Sequence, residues 1–129
     1  MGRILIVDDE EAILLAFQKL LQKQGVTVDV ANSTVEAYAF IETKDYDVLI
    51  IDLRIEGTAK MQGCELVTMA RTLHPLAIII VITAYGDEDL KSHALQAGAD
   101  MFLIKPVSPI ALRTLLQKKG IYASSDTSI

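Results

Sequence analysis

Cysteine is all but missing from this chain, with Cys64 standing alone. One thiol cannot close an internal disulfide and has no neighbouring ligands for a metal, so it reads as incidental in a reducing compartment. Proline (three) and glycine (seven) are also sparse, against 51% hydrophobic and 22% charged residues. That balance excludes a disordered or low-complexity chain and suits one compact domain. No apolar run approaches the ~18 residues of a membrane span. The start, MGRILIVDDE, carries acids after only four apolar residues, too early for a secretory signal. A cytoplasmic location follows as the expectation. Positive charge is also lacking: the net charge of -5 leaves no basic stripe, so direct nucleic-acid binding by this domain is not expected. His74 and His93 are far apart in the sequence, and His93 reads as a surface residue of a helix.

What is present is an alternation, five times over, of short apolar runs and longer amphipathic segments. Arg3 to Val7 reads as a buried strand, followed by a helix over 11–24 with Ile13, Leu14, Phe17, Leu20 and Leu21 at helical spacing. Gly25 stands where a C-cap glycine would. Residues 26–30 alternate like a strand near an edge. Ser33 and Glu36 form a capping box for a helix through Thr43, with Val35, Tyr38, Ala39 and Phe40 turned at least partly inward. Residues 48–51 are the third strand. A helix over about 63–73 carries Leu66, Val67, Ala70 and Leu73 and stops at His74-Pro75. Residues 77–82 are the most apolar strand, covered on both faces. A helix over 87–97 (Leu90, Ala94, Leu95) ends at Gly98, and 101–104 form the fifth strand. Ser108 as N-cap and Pro109 at the first helical position open a last helix to about Lys119. Such alternation predicts an α/β fold, a parallel sheet with helices on both faces. The domain is expected to cover 1–120, and 121–129 to be a disordered tail or the start of a linker.

Polar residues stand where the strands stop: Asp8 and Asp9 after ILIV, Asp52 after VLII, Thr83 after IIIVI and Lys105 after MFLI. In a parallel sheet these ends meet at one edge, where open α/β folds place their ligands. Three carboxylates, a hydroxyl and an ammonium gathered there point to a divalent cation and a phosphoryl group.

Four stretches, ILIVDDE, VLIIDLR, ITAYGD and AGADMFLIKP, occur in order at these strand ends, and through them the chain resembles the receiver domain of two-component response regulators. The resemblance implies a three-layer, doubly wound, CheY-like fold with strand order 2-1-3-4-5. It implies that Asp52 is the phosphoacceptor, taking a phosphoryl group from a sensor histidine kinase or phosphotransfer protein. Asp8, Asp9, Asp52 and the backbone carbonyl of Arg54 would hold Mg2+ or Mn2+, a hard cation that suits such oxygens. Lys105, before a cis peptide bond to Pro106, would pair with the phosphoryl group. Thr83 and Phe102 would form the switch that reshapes the surface of helix four, strand five and helix five. The expected role is signalling to an output domain or protein, with no enzymatic activity beyond self-phosphorylation and autodephosphorylation, and with a phosphorylation-dependent homodimer as one form of output. Glu10, directly after the acidic pair, reads as solvated or as capping the first helix.

The chain departs from the family after Asp52. Gly63 stands eleven residues past the aspartate instead of eight, and Glu56 replaces a proline. A more mobile loop around 58–61 and a shifted start of the third helix follow as expectations, and Glu56 and Lys60 could tune the site. Three other readings are open: a receiver-like adaptor that is never phosphorylated, a flavodoxin-like cofactor carrier and an aspartyl phosphatase. The carrier needs a hydroxyl- and glycine-rich phosphate loop where this chain has DDEEA. The phosphatase needs Asp-x-Asp followed by Gly-Thr, which Glu10-Glu11-Ala12 does not supply.

Overall fold

The alternation of apolar runs and amphipathic segments folds into five strands and five helices. The computed structural model describes residues 2–23, 25–53, 60–84 and 88–122. The strands are β1 (Gly2–Val7), β2 (Val26–Ala31), β3 (Val48–Asp52), β4 (Ile78–Thr83) and β5 (Met101–Ile104). The helices are α1 (Glu11–Leu21), α2 (Thr34–Thr43), α3 (Lys60–Leu73), α4 (Glu88–Ala97) and α5 (Pro109–Lys118). Every ladder is parallel, in the order β2-β1-β3-β4-β5. The three-layer, doubly wound sheet expected from the sequence is thus the one observed.

The strand pleat sends successive side chains to opposite faces, and the core divides accordingly. Leu5, Val7, Leu49, Ile51, Ile79 and Val81 pack with α2, α3 and α4. Ile4, Ile6, Val48, Ile50, Ile80 and Ile82 pack with α1 and α5. β4 is interior, as its composition requires, although β3 is the middle strand. No helix among the described residues is long and apolar enough to cross a membrane.

Tertiary contacts override several local expectations. α1 ends at Leu21, short of the expected 24, because Gln18 and Gln22 turn to the open edge of β2. The Gln18 side chain donates to the Val28 carbonyl at 3.0 Å, and Gln22 Oε1 accepts from the Val28 N–H at 3.1 Å. Gly25 takes its positive φ of 82° in the turn into β2, three residues beyond the C-cap Gln22. The Ser33–Glu36 pair does cap α2: Ser33 accepts from the Glu36 N–H, and the Glu36 carboxylate accepts from the Asn32 N–H. The buried stripe of α2 is Ala37 and Ile41, whereas Val35 and Ala39 face outward. Leu73 and Leu95, expected inward, are about half exposed at the margins of α3 and α4. α3 starts at Lys60 rather than about 63. Of the stretch 58–61, Thr58 and Ala59 lie outside the described residues, as do Glu56 and Tyr85 to Asp87.

At the amino-terminal edge of the sheet, His74, Arg71 and Asp100 are each paired. His74 is buried; its Nδ1 accepts from the Tyr46 N–H and its Nε2 donates to the Ile41 carbonyl at 3.0 Å, an assignment that makes the ring neutral. The Arg71 guanidinium donates to the carbonyls of Pro75, Ala77 and Gly98 and to Asp100. These groups tie the end of α3 to the starts of β3, β4 and β5. Ile121 and Tyr122 also belong to the packed body: both contact the α1–α5 core, and the Tyr122 hydroxyl donates to the Leu21 carbonyl at 2.7 Å. Residues 123–129 lie outside the described residues.

Candidate functional site

Strand register brings the carboxyl ends together. Val7 pairs with Ile51, so Asp8 and Asp52 stand side by side one step further on. Their parity is that of Ile6 and Ile50, so both carboxylates point to the α1–α5 face. Asp9 completes the cluster: Asp8, Asp9 and Asp52 each offer an oxygen, all within 4.8 Å of one another. Asp8 and Asp52 are nearly buried (4% and 5% exposed), and Asp9 is half-buried. Asp52 proves to be the last residue of β3 itself, held by its ladder, rather than the first residue beyond it.

Lys105 enters from the next crossover. Its backbone N–H donates to the Thr83 carbonyl, and its peptide bond to Pro106 is cis. The ammonium lies 2.9 Å from Asp8 Oδ2 and 2.9 Å from Asp52 Oδ2. It also reaches Glu10 Oε1 at 3.0 Å. Burial alone would lower the lysine's affinity for its proton, but the hydrogen bonds to Asp8, Asp52 and Glu10 outweigh it and raise the pKa well above that of a free lysine. For Asp8 the balance runs the other way. Desolvation raises its pKa, the Glu10 N–H and Lys105 pull it back, the Asp52 charge raises it again, and the sum is an increase.

Glu10 is the site residue that reading the sequence missed. It is the N-cap of α1, as allowed for, but its side chain makes no cap hydrogen bond and goes to Lys105 instead. The only signal in the sequence is a third acid following the pair.

Thr83 is fully buried at the end of β4 and shares the parity of Ile79 and Val81. Phe102 pairs in register with Val81 and packs on the same α2–α4 core, so Thr83 and Phe102 occupy one face of adjacent strands. That face is opposite the one to which Asp8 and Asp52 point. Arg54 lies outside the described residues. His93 is exposed on α4 and its ring is hydrogen-bonded to the Asp89 carbonyl, away from the cluster. Next to the carboxylates a cavity of about 370 Å³ opens on the α1–α5 side, walled by Ile13, Phe17, Pro106 and Val107 over the strand residues.

Residues 4–117 match the family described as the response regulator receiver domain. The chain belongs to this family.

Among curated relatives of this receiver domain is the alginate biosynthesis transcriptional regulatory protein AlgB of Pseudomonas aeruginosa. It is 36% identical over 118 residues, which are 92% of this chain and 26% of AlgB. The alkaline phosphatase synthesis transcriptional regulatory protein PhoP of Bacillus subtilis is 32% identical over 127 residues, covering 95% of this chain and 52% of PhoP. The receiver domain therefore spans about a quarter to a half of the length of these relatives. In three dimensions it resembles the CheY-like response regulator receiver domain protein of Methanospirillum hungatei, with a TM-score of 0.83 and 33% identity over 92% of this chain and 93% of that one. A response regulator of Thermotoga maritima gives a TM-score of 0.77 at 27% identity, over 92% and 96% of the two chains.

The acidic cluster fits the cation that receiver domains use. Its donors are all carboxylate oxygens, the chemistry preferred by hard Mg2+, and nearly buried like charges gain most from a cation between them.

Proposed function

We propose that this domain is a phosphorylation switch in which Asp52 accepts a phosphoryl group from a phosphohistidine on a sensor kinase or phosphotransfer protein in the cytoplasm. The observation that carries the reading is the Asp52 carboxylate, aimed from a rigid strand end into a cavity with Asp8, Asp9 and Lys105 around it. An Asp52 oxygen attacks phosphorus in line. The new O–P bond forms as the P–N bond to the donor imidazole breaks, and the imidazole leaves carrying the bonding pair. Asp8, Asp9, Asp52 and the Arg54 carbonyl would hold Mg2+ (or Mn2+), which would offset charge on the phosphoryl oxygens. Lys105 already lies against Asp52 and supplies an N–H to one of those oxygens.

The phosphoryl group adds about -1.5 to -2 charge. Thr83 then turns its hydroxyl to the phosphoryl group and Phe102 moves into the space it leaves. Their position on one face of adjacent strands supports this coupling. The surface of α4, β5 and α5 changes with them and controls an output domain or a protein partner, a second copy of this chain included. Inverting a 1:99 population requires about 5.5 kcal/mol of differential binding, within reach of charge-assisted contacts plus metal coordination. The domain neither binds nucleic acid itself nor catalyses anything beyond its own phosphorylation and dephosphorylation.

Incubation with acetyl phosphate and Mg2+, followed by intact-mass measurement, tests the reading. The expected result is one phosphoryl increment in the wild type and none in Asp52→Asn. No increment in the wild type would favour a receiver-like adaptor that is never phosphorylated.

A further inference from the structure

An ammonium has three N–H donors, and on Lys105 carboxylates take all three. Two acceptors, Asp8 and Asp52, belong to the strand-edge cluster, and the third, Glu10 at 3.0 Å, does not. The Glu10 backbone is fixed on both sides: its N–H donates to Asp8 Oδ1, and its carbonyl accepts from Ile13 and Leu14. Its side chain is 60% exposed and reaches Lys105 from the start of α1.

We infer that Glu10 is a positioning residue that competes with the phosphoryl group for Lys105 and so sets how readily the phosphorylated state forms. This rests on Asp52 being the phosphoacceptor. A phosphoryl oxygen arriving on Asp52 must take a lysine donor from one of the carboxylates. Asp8 is nearly buried, and stripping a donor from a desolvated carboxylate is costly. Asp52 gives up its donor to the phosphoryl group as it is esterified, and Glu10, which can be rehydrated as it lets go, is the partner that releases a second. Its charge also opposes the incoming anion. Holding Lys105 on Glu10 therefore weakens the phosphorylated state by the worth of an exposed ion pair, a factor of about two to five.

Beryllofluoride, a stable mimic of a phosphoryl group on a carboxylate, provides the test. It is titrated at saturating Mg2+ into the wild type, Glu10→Gln and Glu10→Lys, with binding followed by backbone amide shifts. The apparent dissociation constant should fall about two- to fivefold in Glu10→Gln and further in Glu10→Lys. The advantage of Glu10→Gln should shrink on raising the salt to about 1 M, where the screening length is about 3 Å. A role confined to supporting the fold would weaken binding in both variants and give no such salt dependence. Tight wild-type binding with Glu10→Gln unchanged or weaker overturns the role of Glu10 alone. A wild type that takes up no beryllofluoride brings down the phosphoacceptor reading and this inference with it.

Discussion

Replacing Asp8 with asparagine should stabilise the metal-free domain, although it removes one side of an ion pair. The Asp8 oxygen lies within 4.8 Å of those of both Asp9 and Asp52. At an effective dielectric constant of ~20, each such pair of charges repels by about 3.5 kcal/mol, and the two together by about 7. The contact to Lys105 at 2.9 Å returns about 6 kcal/mol on the same scale. These terms nearly cancel, so the burial of the charge decides the sign, and it disfavours the ionised acid. Asparagine keeps an oxygen for the Glu10 N–H, and Lys105 keeps Asp52 and Glu10. A net gain of about 1 kcal/mol is expected, or about 4 °C in Tm for a domain of this size. The native state holds the Asp8 proton to a higher pH than the unfolded chain does. The penalty is therefore absent below the unfolded value of 3.8 and grows as pH rises through the raised native one. Thermal melts in EDTA should show Asp8→Asn above the wild type at pH 7 and the gap closing towards pH 4. With Mg2+ at 100 times its dissociation constant the wild type gains about 2.7 kcal/mol and Asp8→Asn less, reversing the order. An Asp8→Asn Tm at or below that of the wild type in EDTA at pH 7 would refute the reasoning, as would a gap unchanged at pH 4.

Lys105→Ala removes the ammonium from Asp8 and Asp52 and should cost about 3–5 kcal/mol in EDTA, with Mg2+ restoring much of it; equal losses with and without Mg2+ would contradict this. His74→Ala strips partners from the Tyr46 N–H and the Ile41 carbonyl, and urea titration should show a loss of about 2–4 kcal/mol. A loss under 1 kcal/mol would mean that neither group depends on the imidazole. Gly98→Ala combines a φ of 122° with a Cβ placed 2.8 Å from that of Arg71, whereas Gly120 (φ 83°) has nothing within 4 Å. Gly98→Ala should thus cost about 1–3 kcal/mol more than Gly120→Ala in the same titration; equal costs would show that Arg71 yields freely.

The strands were legible because runs such as Ala77 to Ile82 leave no solvated face, and such runs alternating with amphipathic segments allow few topologies. The site was legible for a related reason. A polar residue directly after a buried run has to stand at the sheet edge, which located Asp8, Asp52 and Lys105 without any contact being known. What escaped depends on partners distant in sequence. Gln18 and Gln22 look like ordinary helix residues until the open edge of β2 lies beside them and ends α1 early. Glu10 meets a lysine 95 positions away, and nothing local separates that role from a solvated acid. The outward turn of Val35 has the same origin: α2 docks through Ala37 and Ile41, a choice made by the sheet beneath it rather than by the helix.

The two edges of the sheet are unequal in a way that suits a switch. At the amino-terminal edge Arg71, His74 and Asp100 are matched donor to acceptor, and Ile79 donates its N–H to Asp100, so that edge has little to gain from any ligand. At the carboxyl edge three acids, Asp8, Glu10 and Asp52, share the Lys105 ammonium with Asp9 close beside them, an arrangement that keeps like charges in contact and favours a cation that relieves them. A ligand shifts an equilibrium only by its differential affinity for two states. An edge that holds like charges together before binding provides that difference, while the opposite edge keeps the sheet in register as Lys105 exchanges partners. The cost is borne locally, in the raised pKa of Asp8, rather than by the fold as a whole.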